Sequence, residues 1–262
     1  MATNSADVTR SLRDTTDDTR VRRPVSRGLV LLVWAGLALL LLIGIAGSAM
    51  RALHLGDFFA MLQPLRNATF AMFGISNPDP VRQAAMVARA DSKFAAHAVA
   101  TLLHVGSGTL LFALVPLQFS KVVRSRFRAF HRWSGRLLVV IAWVAGLGGL
   151  YFGVLHPLAG VVERVIVGLI GIWFLSATSI AFLRIRQGRT AEHREWMLRA
   201  VAAALGISTM RLVGIPVDLV LTPLGVGPEV AFLHTIWIGW SVTPLTAEWW
   251  IRRTRPSVKH SS

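Results

Sequence analysis

His97, His104, His131, His193 and His234 stand within or at the edges of long apolar runs. An imidazole held away from water in this way is a ready ligand for iron. Seven residues separate His97 from His104, which on one helix leaves them within about 20° on a common face and about 10 Å apart along the axis. His234 lies about one turn inside the end of its run, at a depth comparable to His97. Gly106-Ser107-Gly108 would let a flat cofactor or a second helix come close to the backbone beside His104. Neutral imidazoles at matched depths on different helices are what bis-histidine ligation of haem b needs, with arginines to neutralise the propionates. On this reading His97 and His234 ligate one haem iron, with His104 as the alternative ligand. His131 and His193 then serve a second site at the opposite face, beside Arg132, Arg136 and Arg194. The competing reading is packing, in which these rings bond backbone carbonyls and fix helix contacts.

Three further polar side chains fall inside apolar runs: Gln118, Arg211 and Glu248. A charge at the depth of Arg211 costs about 2.5 kcal/mol or more unless it faces protein, water or an anion. Asp218, two turns along the same face, would make it a structural ion pair; without that partner it is an anion-binding arginine. His104, Arg211 and Glu248 lining one polar cavity would describe a non-redox transporter or lipid-binding protein. An assembly or scaffold component without chemistry is the third alternative. No Gly-rich phosphate loop, carboxylate-pair metal motif or nucleophile elbow occurs, so no catalytic residue can be named.

Elements that hold such residues must sit in lipid. Of the 262 residues 53% are hydrophobic and 16% charged, and the mean hydropathy is +0.55, too apolar for a soluble domain. Charge-poor runs over about 28–50, 94–120, 137–162, 165–183, 197–221 and 230–251 predict an all-α polytopic bundle of six transmembrane helices. Residues 1–27 read as a disordered cytoplasmic tail, 51–93 as an external loop carrying an interfacial helix, and 252–262 as a basic cytoplasmic tail. The formal charge of +15 comes from 28 Lys and Arg against 13 Asp and Glu. These basic residues cluster in alternate connections, which marks topology and contact with anionic lipids at the cytoplasmic face rather than nucleic acid. Both termini are thereby expected in the cytoplasm, with the chain in a bacterial inner membrane. The absence of cysteine excludes disulfides, thiolate metal sites and iron–sulfur clusters.

One internal similarity stands out. His131-Arg132-Trp133-Ser134-Gly135-Arg136 and His193-Arg194-Glu195-Trp196-Met197-Leu198-Arg199 each place a His-Arg pair, an aromatic and a second arginine where a helix enters from the cytoplasm. Two hairpins running in the same direction would suit a parallel repeat. With His104, Pro116-Leu117-Gln118-Phe119, Arg211 and Glu248, these motifs make the segment from about His104 to Glu248 resemble DUF2306, an uncharacterised family of predicted bacterial membrane proteins. The resemblance implies the helical architecture and this list of residues, and no activity. Its topology is similar to that of transmembrane di-haem cytochromes b, which by analogy implies haem b and a quinone or another redox partner.

Overall fold

Lipid leaves no solvent for unpaired backbone groups, so each apolar run closes its hydrogen bonds within itself as a helix. The computed structural model describes residues 26–255, and helix is the regular secondary structure throughout them. Among the described residues nine α-helices follow in order: α1 (Arg27–Leu53), α2 (Phe58–Met72), α3 (Pro80–Ala96), α4 (Ala98–Phe119), α5 (Lys121–Arg126), α6 (Arg128–Leu150), α7 (Gly160–Arg186), α8 (Thr190–Leu221) and α9 (Pro228–Thr254). A π-helical turn, Tyr151–Leu155, extends α6. Five of these, α1, α4, α6, α7 and α8, are long and apolar enough to cross a membrane. α9 is 27 residues long, but Glu229, His234, Glu248 and four tryptophans lower its hydropathy below theirs.

The five apolar helices form a ring in which α1 packs on α4, α4 on α6, α6 on α7, α7 on α8, and α8 back on α1, while α9 lies along α8. Their shared core holds Leu41, Phe112, Val115, Ile141, Phe174 and Leu205, together with Ala142, Ala177, Ala200 and Ala203. The alanines let helix axes approach where no hydrophobic force drives helices together. Leu31, Leu32, Leu103, Leu169 and Val220 are exposed, as side chains facing lipid should be.

Between α1 and α4, the segment expected as an external loop carrying an interfacial helix folds as a pair of helices. Gly74, at φ +66, ends the α2 segment in a left-handed turn, and Asp79 caps α3 by accepting from the Arg82 amide, with Pro80 at the first helical position. Asp91 on α3 is buried and holds the hairpin together: it accepts from the Phe59 and Ala60 amides at the start of α2 and from Arg51 of α1. The Arg51 guanidinium sits 4.2–4.4 Å from the ring centres of Phe58, Phe59 and Phe94. Of the two expected tails, residues 1–25 and 256–262 lie outside the described residues; Arg252 to Thr254 continue α9.

Candidate histidine site at the basic end of the bundle

His131 and His193 are each the fourth residue of their helices, α6 and α8, at the end of the bundle that also carries α5 and the α7–α8 turn. They lie within electrostatic reach of one another. His193 Nδ1 is 2.8 Å from the carbonyl oxygen of Ala181 on α7. A carbonyl can only accept, so Nδ1 carries the proton and Nε2 of the neutral ring keeps its lone pair. His131 Nδ1 is buried and has no hydrogen-bond partner. The carbonyl at the matching offset in the first hairpin, Phe119, accepts instead from Arg124 Nη1 at 3.0 Å. Arg124 also lies close enough to His131 to act on it electrostatically.

The other expected members of this site divide. Gln118 donates from Nε2 to Ser134 Oγ at 2.6 Å and so ties α4 to α6 one turn from His131. Arg132, Arg136 and Arg194 are exposed, and Arg136 packs over the Trp133 ring rather than toward the histidines. On α6, Arg132 and Arg136 lie on a different face from His131 and Ser134. The arginine that approaches His131 is Arg124, which sequence depth did not single out.

The expected pairing of His97 with His234 does not form. The α3–α4 chain breaks at His97, at φ −114 and ψ 45, so His97 and His104 do not share a helix face. The His97 ring bonds Tyr151 Oη through Nδ1 at 2.9 Å and lies 4.3 Å, centre to centre, from His156. Lys93 Nζ donates to the His156 carbonyl, and burial pushes its ammonium down to about 8, with Glu163 opposing and Arg51 adding to the shift. His234 is exposed, and its Nδ1 bonds the Val230 carbonyl of its own helix. His104 donates from Nδ1 to the Ala145 carbonyl at 2.8 Å. Its ring packs where Gly148 and Gly149 lack side chains, while Gly106 and Gly108 face open space.

Arg211, His104 and Glu248 do not share a cavity. Glu248 sits at the basic end and bonds Arg199 at 3.0 Å. Together with Glu192, Glu195, Trp173, Trp196 and Arg255 it lines an open groove of about 700 Å3. Asp218 is paired with Arg66 of α2 at 2.9 Å, not with Arg211. Arg211 Nη1 donates to the Gly44 carbonyl of α1 at 3.1 Å, and His104 lies within its electrostatic reach. Among the described residues no group of three or more His, Asp or Glu is arranged around a metal ion.

Neither a search of curated proteins nor one of solved structures returns a match. The model of one family does match, over residues 101–251, which takes in α4 to α9, both His-Arg motifs, Arg211 and Glu248. That match covers more than half of the chain, and the protein therefore belongs to the family described as predicted membrane protein (DUF2306).

Proposed function

We propose that this membrane protein is a haem-b electron-transfer protein whose iron ligands are His131 and His193. The observation that supports the reading is the orphaned, buried Nδ1 of His131, within electrostatic reach of a second imidazole, His193, whose Nδ1 is already bonded to a carbonyl. A ligating histidine nearly always donates its other ring nitrogen to a carbonyl or carboxylate, as His193 does to Ala181. Haem b bound by two imidazoles supplies a one-electron carrier. The chain's own part is to fix the His193 tautomer through Ala181 and to provide the Arg124 charge for a propionate. Gln118 and Ser134 hold α4 against α6 beside the site. The basic end faces the cytoplasm of a bacterial inner membrane on this reading, by the positive-inside rule. A cytoplasmic or membrane-soluble redox partner, such as a quinone, would exchange electrons there.

Absorption spectroscopy of detergent-purified protein, with and without dithionite, tests the proposal. Two imidazole ligands make the iron low-spin, so a Soret band and a sharp reduced α band are expected. His131→Ala and His193→Ala should each abolish the low-spin spectrum, while His234→Ala should keep it. Colourless wild-type protein from haem-replete cells would refute the reading.

A further inference from the structure

Arg211 stands ten residues before the end of α8, about 15 Å inside the helix end nearest the α2–α3 hairpin. One of its five N–H donors is used, by the Gly44 carbonyl. Among the described residues no carboxylate is in ion-pair contact with it: Asp218 is held by Arg66, and Asp91 by Arg51. The charged or titratable groups that act on it, Arg51 on α1 and His104 on α4, add no negative charge. A lone cation at this depth calls for an anion.

One turn away on the same face of α8, Ser208 is 0% exposed and its Oγ has no hydrogen-bond partner. Both side chains converge on one stretch of α1. A Cβ at Gly47 would lie 2.8 Å from the Arg211 guanidinium carbon, and one at Gly44 would lie 2.8 Å from Ser208 Oγ. A largely buried cation and a buried unbonded hydroxyl thus face two neighbouring glycines of α1, with the Phe112 ring packed beside Gly44. One negative charge balances one guanidinium in a low dielectric, whereas a phosphate dianion would leave a charge uncompensated. A planar carboxylate also matches the fork of N–H donors that Arg211 leaves unused.

We propose that Arg211 and Ser208, set against Gly44 and Gly47, form an intramembrane site for a single carboxylate. Its source is a fatty acid in the bilayer or a small soluble acid. The site is separate from His131 and His193 and does not depend on the haem reading.

Thermal unfolding of the full-length protein in a non-ionic detergent tests it. Chloride is replaced stepwise by acetate at constant ionic strength, and in parallel laurate is compared with dodecanol. A saturable rise in Tm is expected for the wild type. A response to acetate identifies a soluble acid, and a response to laurate alone identifies a membrane fatty acid. Arg211→Gln should abolish the rise. Ser208→Ala, which removes one hydroxyl and no charge, should raise the half-saturating concentration by about tenfold, the effect of one hydrogen bond to a charged group. If Arg211→Gln does not fold, Ser208→Ala decides alone. A wild-type Tm unmoved by either carboxylate overturns the site. So does dodecanol matching laurate where acetate has no effect, or an unchanged response in Ser208→Ala.

Discussion

At the scale of single residues, the bond from Arg66 to Asp218 sets the character of Arg211. It joins side chains 152 positions apart, with Arg66 also lying 4.1 Å from the Phe70 ring centre. The Arg66 side chain is 7% exposed and Asp218 23%, so each is largely shielded from water and from salt. Removing one member of such a pair leaves the other buried and uncompensated. Arg66→Leu and Asp218→Asn should each destabilise by about 3 kcal/mol, and the double variant should cost little more than either alone. Arg211→Leu combined with Asp218→Asn should instead be additive. Thermal unfolding of the set checks this, and strong coupling between Arg211 and Asp218 would show that the carboxylate belongs to Arg211 after all. Sequence spacing made Asp218 the natural partner of Arg211 because the two share a helix face. It could not show that a helix from the supposed loop reaches across to claim Asp218 first. The histidines show the same limit. Depth along a run can be read from position, but the rotation of each helix about its axis cannot. His97 and His234 therefore matched in depth without meeting, whereas His131 and His193 come within electrostatic reach because each opens a helix at the same end.

At the scale of helices, contact is decided by where side chains are missing. α9 docks on α8 through Gly239, where a Cβ would lie 2.6 Å from the Gly206 carbonyl oxygen, a backbone atom that cannot move aside. Beside it the Trp240 ring covers Gly206 and donates from Nε1 to the Ala203 carbonyl at 2.8 Å. Gly239→Ala must therefore push the two helices apart, and should destabilise by about 2 kcal/mol. Gly106→Ala is the contrasting case. Nothing lies within 4 Å of the added methyl group, so the change should be neutral or stabilise by up to about 1 kcal/mol through helix propensity. Unfolding of both variants in detergent reads the difference, and equal losses would remove the argument for a close α8–α9 crossing. The apolar helices were legible in the sequence because lipid requires an unbroken apolar run of fixed length. The α2–α3 hairpin was legible only as a loop with one interfacial helix. Its helices carry Arg66, Arg82, Arg89, Asp91 and Lys93, and their polar pattern resembles a solvated loop until the partners are known. Arg51 and Asp91 bury each other, and Arg82 and Arg89 both bond Glu229 of α9, at 2.9 and 2.7 Å.

Over the whole molecule, charge is sorted between the two ends of the bundle. The basic end carries Lys121, Arg124, Arg126 and Arg128 around α5, Arg184, Arg186, Arg189 and Arg194 around the α7–α8 turn, and Arg252, Arg253 and Arg255 at the end of α9. The hairpin end carries Arg51, Arg66, Arg82, Arg89, Lys93 and Arg164, and the first four are held by Asp91, Asp218 and Glu229. Basic residues retained on the cytoplasmic side set orientation, so the basic end should face inward and the α2–α3 hairpin outward. The path of the chain adds a second constraint. α1 runs to the hairpin end, and α4, α6, α7 and α8 then alternate, so the α8–α9 turn lies at the hairpin end with α2 and α3. The side of the carboxyl terminus thus depends on α9 alone. Its tight crossing with α8 and its 27 residues, about 40 Å of helix, argue that it returns through the bilayer despite its lower hydropathy. Reporter fusions after Ile75 and Leu158 should be active outside the cell, and fusions after Arg126, Gly188 and Ser262 inside. An external reporter at Ser262 with the other four as expected would mean that α9 does not return along α8 and that the chain crosses the membrane five times.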